Sequence, residues 1–452
     1  MEHKYQYGLL GERLGHSFSP EIHALLGNGD YNLKPMPADE FDRFMTVRDF
    51  KGVNVTIPYK ERALKFCEVR GDAVNIGSVN TVVNTADGLV GYNTDICGLE
   101  YMISRAGGTL KDRKVVILGS GGTARCAFYA ARKGGAREIV VLSRSGKCEF
   151  AEGVANASAC TYDETDRYND AEVIINTTPV GMYPDSYNAP VSLDIFDSCE
   201  SVFDVIFNPL ETKIVREARK RGLRASNGLP MLVAQAWYAN AYFFDLDTER
   251  ACREEEIEDI LATLERKVKN LVLIGMPGSG KSTVGKALAD ITNREFADSD
   301  EEFTKMFNMT PEECIRTYGE AEFRDKETSV ILEMMKKTGI VMSTGGGSIL
   351  REVNRDAMKS NSTIIYLDRK TECLSTAGRP LSKDFDTVHK LFEERKAFYL
   401  NLSDIKVTVK EGEVSGTVRE ICGQLNLNND TTADCYRPEQ PDARNPREDC
   451  TR

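Results

Sequence analysis

The chain has 452 residues, 41% of them hydrophobic and 28% charged, an ordinary globular composition at a length that fits two or three separately cored domains. A formal net charge of -12 excludes a protein that works by non-specific attraction to nucleic acid or anionic lipid, so any anionic substrate must be gathered by local lysine, arginine and backbone N–H groups. Twelve cysteines without close pairs, and an opening without a signal-type segment, predict reduced thiols in a cytoplasmic protein.

In chain order, residues 5–10, 52–57 and 78–84 read as strands, and 20–26 and 60–67 as helix starts, an α/β opening domain over residues 1–100. A second domain, 101–229, centres on a strand at 115–118, a glycine-rich turn, a helix to Lys133 and a strand at 139–142, followed by strands at 173–176 and 201–205; this is the series of a Rossmann-like dinucleotide-binding unit. From Leu229 to about Lys269 the pattern is helical, and the helices of 230–265 are expected to complete the first domain. The apolar run 231–244 is interrupted by Gln235 and Asn240, too short and polar to span a bilayer, and reads as a buried helix. Ile257, Ile260, Leu261 and Leu264 form a stripe that predicts packing, although a linker is the alternative. A strand at 268–274 opens a third α/β domain, 268–425, with a parallel sheet. The tail, 426–452, has Leu427 as its one branched aliphatic residue and is expected to be disordered. His3, His16, His23 and His389 have no partners at metal-ligand spacing, so no zinc site is expected.

The strongest chemical signal is Gly275-Met276-Pro277-Gly278-Ser279-Gly280-Lys281-Ser282-Thr283, a full phosphate-loop match between an apolar strand and helix-forming sequence. The glycines let consecutive N–H groups turn inward around phosphates, and the adjoining helix adds its positive end. Lys281 can reach the β- and γ-phosphates, and Ser282 can ligate Mg²⁺, so this third domain is expected to bind ATP, as many ATPases do through the same loop. Asp298 and Asp300, if their stretch is extended, point to one side, one for the metal and one for an alcohol; beside Glu301 and Glu302 a solvated acidic turn is the alternative. Gly345-Gly346-Gly347 after a strand suggests close backbone approach to a ligand, or a plain loop.

In the second domain Gly119-Ser120-Gly121-Gly122-Thr123-Ala124 departs from the full G-x-G-x-x-G pattern, but Gly119 and Gly121 still supply the tight turn and the approach to a pyrophosphate. Beyond the next strand lie Ser143-Arg144-Ser145 and Lys147, where an acidic residue would favour a free ribose hydroxyl; Arg144 and Lys147 favour the 2′-phosphate of NADP(H).

Residues 268–425 resemble shikimate kinase: the phosphate loop is joined by Asp298-Ser299-Asp300, Gly319-Glu320-Ala321-Glu322-Phe323-Arg324, the glycine triplet and Gly378-Arg379-Pro380-Leu381. The resemblance implies that Asp298 helps hold Mg²⁺, that Asp300 grips the substrate hydroxyls and accepts a proton, and that Arg324 and Arg395 clamp the substrate carboxylate. It further implies that Glu327 orients Arg324, that Gly346 and Gly347 contact the ring, and that Arg379 closes a lid over ATP.

Residues 1 to about 265 resemble shikimate 5-dehydrogenase through Gly15-His16-Ser17-Phe18-Ser19-Pro20 with His23, Asn54-Val55-Thr56-Ile57-Pro58-Tyr59-Lys60, Gly77-Ser78-Val79-Asn80-Thr81 and Gly91-Tyr92-Asn93-Thr94-Asp95. The later motifs are Ile175-Asn176-Thr177-Thr178-Pro179, Asp204-Val205-Ile206-Phe207-Asn208-Pro209 and Gly228-Leu229-Pro230-Met231, leading to Gln235. By this resemblance Ser17 and Ser19 bind the substrate carboxylate, Thr56, Asn80, Asp95 and Gln235 contact ring hydroxyls, Lys60 and Asp95 form the catalytic pair, and Thr177 joins the cofactor loop. Phe207 stands where the family often has tyrosine, which removes one donor to substrate.

Together the two resemblances imply a bifunctional enzyme of aromatic amino-acid precursor synthesis, acting on 3-dehydroshikimate and shikimate with NADP(H), ATP and Mg²⁺ and without nucleic-acid or membrane partners. A quinate-using or NAD-using dehydrogenase half, or one half kept as a non-catalytic module, are the alternatives.

Overall fold

In the computed structural model, residues 5–15, 17–249, 253–370, 372, 385–410 and 412–427 are described. The chain divides between Lys269 and Asn270 into two compact units.

The first unit holds two sheets. β1 (Tyr5–Gly11), β2 (Tyr31–Pro35), β3 (Phe50–Val55), β4 (Glu68–Val69), β5 (Thr81–Asn84) and β6 (Leu89–Tyr92) lie in the order β2-β1-β3-β5-β6-β4. β1 pairs in parallel with β2 and β3, while β3–β5 and β5–β6 are antiparallel, with Asn54 opposite Thr81. The second sheet is parallel throughout: β7 (Lys114–Leu118), β8 (Glu138–Leu142), β9 (Ala157–Cys160), β10 (Val173–Asn176), β11 (Ser201–Asp204) and β12 (Arg224–Ser226), in the order β12-β11-β10-β7-β8-β9. Every residue of β7 is buried, as a strand covered by helices on both faces requires. This is the doubly wound dinucleotide order, which reverses between β7 and β10 and opens a crevice at the carboxyl ends of those two strands.

Two helices tie these sheets together. Asp95–Arg105 leads toward the second sheet and Leu229–Phe243 returns toward the first. Gly98 lets them touch: a Cβ there would lie 2.4 Å from the Met231 carbonyl oxygen and 3.2 Å from the Gln235 nitrogen. The helical pattern expected through 269 is broken after Phe243, where Asp245 takes φ +52°, and a new helix runs Arg253–Val268. Asp245 and Asp247 supply that break; the Asp247 carboxylate accepts the Glu249 N–H in a local turn. The stripe Ile257, Ile260, Leu261 and Leu264 is buried in one cluster with Trp237 and Leu229. The helix expected over 60–67 is only a 3₁₀ turn, Arg62–Phe66, because by Glu68 the chain must be extended to pair with β6.

The second unit is a parallel sheet of β13 (Asn270–Ile274), β14 (Phe296–Asp298), β15 (Val341–Ser343), β16 (Ser362–Asp368) and β17 (Ile405–Thr408), ordered β14-β15-β13-β16-β17. β13 is central and buried along its length, so the loop after it emerges at the switch point. The long helix Pro311–Met334 opens with a capping box between Thr310 and Glu313 and is kinked at Gly319. Among the described residues no helix is long and apolar enough to cross a membrane.

Candidate active sites

In the first unit a cavity of about 280 Å³ is lined by Ser17, Ser19, Thr56, Lys60, Asn80, Asp95 and Gln235, together with Thr123 from the start of the nucleotide-loop helix. Leu9, Val55, Val205, Phe207, Met231 and Leu232 give it apolar walls. The Lys60 ammonium donates to Asp95 Oδ2 at 2.6 Å, and the Asn80 amide donates to Asp95 Oδ1 at 2.8 Å. Both ends of the ion pair keep contact with water, at 23% and 15% side-chain exposure, so proton exchange with solvent stays open. Asp95 is the first residue of its helix, where the positive end of the helix favours a carboxylate. Ser17 Oγ donates to Ser19 Oγ and accepts the Ser19 N–H, both at 3.2 Å. Gln235 donates to the Leu232 carbonyl at 2.9 Å. Phe207 meets Phe18 edge-on at 5.9 Å, an apolar contact at the rim.

The glycine-rich loop comes directly after β7. Gly119 has φ +104°, and the Thr177 hydroxyl, which donates to the Leu118 carbonyl at 2.7 Å, would lie 2.9 Å from a Cβ on Gly119. Ser120, Gly121 and Gly122 are exposed, and the helix Gly122–Lys133 begins there without a side-chain cap, leaving its first N–H groups for a ligand. Past β8, Ser143 is buried and donates to the Lys147 carbonyl, which shapes a turn that leaves Arg144, Ser145 and Lys147 exposed. Tyr162, absent from the sequence reading, packs beside Gly119 and Arg144; burial raises its phenol pKa, with Arg144 opposing.

In the second unit a cavity of about 640 Å³ gathers Gly278, Gly280, Lys281, Ser282, Thr283, Asp298, Asp300, Arg324, Gly346, Gly347 and Arg395. Ser279 is buried within the loop, its N–H donating to the Met276 carbonyl. Lys281 Nζ donates to the carbonyls of Gly275 and Met276 at 3.0 and 2.9 Å. The Ser282 hydroxyl donates to Asp298 Oδ2 at 2.7 Å. The condition of one extended stretch through Asp298 and Asp300 is not met: Asp298 ends β14 and caps the helix Ser299–Phe307, accepting the Asp300 N–H at 2.9 Å, and Asp300 belongs to the first helical turn. Asp-x-Asp after a strand is also an N-cap signal. Both carboxylates nevertheless face the same cavity.

Arg324 donates to Glu327 at 2.8 Å and to Glu320 at 2.9 Å. Burial works against the Arg324 charge, but Glu327 and Glu320 outweigh it and hold the guanidinium more firmly protonated. Burial also lifts the Glu327 carboxyl above its usual range. The glycine triplet is closely packed, most rigidly at Gly346, which faces the Pro277 ring. A Cβ on Gly347 would lie 2.4 Å from the Arg324 guanidinium, one on Gly346 2.6 Å from Pro277, and one on Gly345 2.8 Å from the Glu327 carboxylate. Two further residues went unread in the sequence. Tyr399, one helical turn after Arg395 and fully buried, donates to the Gly346 carbonyl at 2.5 Å. Arg369, directly after β16, donates to the Gly278 carbonyl at 3.4 Å. A tyrosine four residues beyond a candidate clamp arginine, and a cation at the end of a strand beside β13, were the available signals. His16 and Arg379, and the tail beyond 427, lie outside the described residues.

Family models agree with this division. The shikimate dehydrogenase substrate binding domain matches residues 9–82, and shikimate kinase matches 277–426. The shikimate dehydrogenase (NADP(+)) of Caldanaerobacter subterraneus is 35% identical over 261 residues, covering 53% of this chain and 93% of that protein. The chain belongs to the shikimate dehydrogenase family. The enzyme of the same name from Clostridium perfringens is 34% identical over 264 residues, 56% of this chain and 97% of its own. A crystal structure of a chorismate mutase/shikimate 5-dehydrogenase fusion protein from Clostridium acetobutylicum has a TM-score of 0.53 at 35% identity, covering 57% of this chain and 98% of that one. Shikimate dehydrogenase 1 from Peptoclostridium difficile gives 0.50 at 32% identity, over 57% and 97%. With the shikimate kinase match in the second unit, the chain is a bifunctional enzyme, a dehydrogenase joined to a kinase. This assigns the first cavity to the dehydrogenase unit and the second to the kinase unit.

Proposed function

We propose that the first unit reduces 3-dehydroshikimate to shikimate with NADPH and that the second transfers the γ-phosphoryl group of ATP to the shikimate 3-hydroxyl. The observation that carries the reading is the composition of the two cavities. In one, Lys60 and Asp95 share a wall with Thr123 of the cofactor loop; in the other, the phosphate loop faces two buried arginines.

Bound NADPH supplies the hydride, and the chain's own groups handle the charge and the proton. As the ketone accepts a hydride, negative charge grows on its oxygen, and a donor must stand there. Lys60 is that donor; Asp95 orients it through the 2.6 Å contact and accepts from the hydroxyl that forms. Ser17 and Ser19 offer hydroxyls to the substrate carboxylate, and Thr56, Gln235 and the Asn80–Asp95 pair face the ring hydroxyls. The NADP choice is supported by exposed Arg144 and Lys147 beyond β8, where they can meet a 2′-phosphate.

In the kinase cavity Lys281 and the loop N–H groups neutralise phosphate charge, and Asp300 accepts the proton of the attacking hydroxyl. Arg324, braced by Glu327, and Arg395 hold the substrate carboxylate; a forked guanidinium fixes its direction as well as its place. Gly346 and Gly347 bound the ring, and Arg379 has the role of a cation for the transferring phosphate, as the resemblance to shikimate kinase implies. The Ser282 hydroxyl and Asp298 carboxylate form a hard-oxygen pair that fits Mg²⁺ with its remaining positions left to water and phosphate, where it would neutralise charge on the transferring group.

The test is an assay of the intact chain with 3-dehydroshikimate, NADPH and Mg·ATP, following NADPH loss and ADP formation separately. Lys60→Ala abolishes the first signal and leaves phosphorylation of added shikimate; Lys281→Ala does the reverse. A folded variant in which either change silences both reactions overturns the two-site reading.

A further inference from the structure

Behind the Lys60–Asp95 pair, Asn80 is joined to a buried polar chain whose other members the proposed mechanism does not use. Tyr31 on β2 donates its hydroxyl proton to Asn54 Oδ1 at 2.8 Å. Asn54 Nδ2 donates to Thr81 Oγ1 at 3.0 Å and to the Asn80 carbonyl at 3.2 Å. Thr81 Oγ1 donates to Asn80 Oδ1 at 3.0 Å, and Asn80 Nδ2 donates to Asp95 Oδ1 at 2.8 Å and to Thr94 Oγ1 at 3.1 Å. Tyr31, Asn54, Asn80 and Thr81 are all buried, Thr81 completely.

The direction of this chain is fixed by backbone groups. The Asn80 carbonyl can only accept, so the atom of Asn54 facing it must be the amide nitrogen, and Asn54 Oδ1 is left to accept from Tyr31. The Thr94 N–H can only donate, at 2.7 Å to Asn80 Oδ1, so the Asn80 amide nitrogen must face Asp95. Thr81 lies between the two. Its oxygen accepts from Asn54, which leaves its single proton for two acceptors, Asn80 Oδ1 at 3.0 Å and the Thr94 hydroxyl at 3.2 Å, of which the amide oxygen is the nearer. The β3–β5 register places Asn54 directly opposite Thr81, so the sheet itself sets this contact. Both Asn80 amide hydrogens are used within the protein and its oxygen accepts from Thr94 and Thr81. Asn80 therefore meets the cavity as a fully engaged group whose charge-assisted bond is to Asp95.

We infer that Thr81, with Tyr31 and Asn54 behind it, is a positioning residue for the dehydrogenase reaction. The directional chain Tyr31–Asn54–Thr81–Asn80 locks the Asn80 amide so that Asp95 Oδ1 is held by a donor and Oδ2 stays turned to Lys60. This rests on the proposed catalytic role of the Lys60–Asp95 pair. Without the Thr81 hydroxyl, Asn54 Nδ2 loses an acceptor and Asn80 Oδ1 loses one of its three donors, with the Thr94 N–H and hydroxyl remaining, so the Asn80 amide holds Asp95 less firmly toward Lys60.

The experiment uses the full chain carrying Thr81→Val, Thr81→Ser or Tyr31→Phe, measuring 3-dehydroshikimate reduction and, as an internal control, phosphorylation of added shikimate. Thr81→Val is expected to lower the dehydrogenase kcat by about tenfold or more, the scale of one buried hydrogen bond left unmade. The KM for NADPH and the kinase rate stay unchanged. Thr81→Ser, which keeps the hydroxyl, restores kcat to within about threefold of the parent. Tyr31→Phe, which keeps the ring, lowers kcat in the same direction and covers the case in which Thr81→Val does not fold. A parent chain that reduces 3-dehydroshikimate, with folded Thr81→Val or Tyr31→Phe matching its kcat, overturns the inference alone. Equal kcat losses in Thr81→Ser and Thr81→Val also overturn it, since a change of packing would then account for both. A parent chain inactive on 3-dehydroshikimate overturns the functional reading itself.

Discussion

Gly98→Ala tests how far the dehydrogenase site depends on one helix contact. The added Cβ would stand 2.4 Å from the Met231 carbonyl oxygen, 3.1 Å from Gln235 Cβ and 3.2 Å from the Gln235 nitrogen. Two of these are backbone atoms of the helix Leu229–Phe243, so no side-chain rotation relieves them. Carbon and carbonyl oxygen rest comfortably at roughly 3.3 Å, so the helices must part locally by about 0.9 Å, the difference from 2.4 Å. Overpacking of this kind costs about 1–3 kcal/mol, offset by up to about 1 kcal/mol of helix propensity gained on replacing glycine. The kinetic effect is larger. The displaced helix carries Met231, Leu232 and Gln235 into the cavity, while Gly98 is one turn from Asp95. A misplacement near 1 Å costs on the order of a hundredfold. The expected result is a dehydrogenase kcat/KM lower by about that factor, from NADPH oxidation at 340 nm, with kinase activity of the same preparation unchanged. A folded Gly98→Ala chain that kept dehydrogenase activity within about twofold, against that hundredfold expectation, would refute the claim that this close approach sets the site.

Arg144→Ala should raise the KM for NADPH by about tenfold, the scale of one charge-assisted contact, and leave the NADH rate unchanged; an equal effect on both cofactors would sink the 2′-phosphate assignment. Glu327→Gln weakens the brace on Arg324, at 5% and 11% side-chain exposure for acid and base. It should cut kinase kcat/KM for shikimate by about tenfold while KM for ATP holds, because removing one partner of a buried pair is costly even when an acceptor remains. Burial raises Asp204 from 3.8 to about 6, against hydrogen bonds from Thr212, Ile206 N–H and Asn176. The folded chain then keeps a proton that the unfolded chain has already released, so stability of the first unit falls as pH rises through this window. The fall is on the order of 3 kcal/mol and complete above the folded value. Thermal melts of Asp204→Asn should lose this slope; an unchanged slope would show that Asp204 ionises freely.

Parts whose signal is local can be read in one dimension. The phosphate loop is legible because cradling phosphates demands glycine, lysine and a hydroxyl at fixed spacing between a strand and a helix, and β13 and the helix Lys281–Thr292 supply that frame. The strand at 173–176 was readable because a strand buried on both faces is a short apolar run. Features set by distant contacts were not legible. Asp298 reads equally as strand end or helix cap until the helix after it is in place. Tyr399 gains meaning from a carbonyl 53 residues away. Gly98 looks like a flaw in a helix until a second helix, more than a hundred positions later, is laid across it. Thr81 is one hydroxyl among many until antiparallel register sets it opposite Asn54. Chemistry carried by consecutive residues survives in one dimension, whereas the direction of a hydrogen bond or the closeness of two helices exists only once the chain has brought its remote segments together.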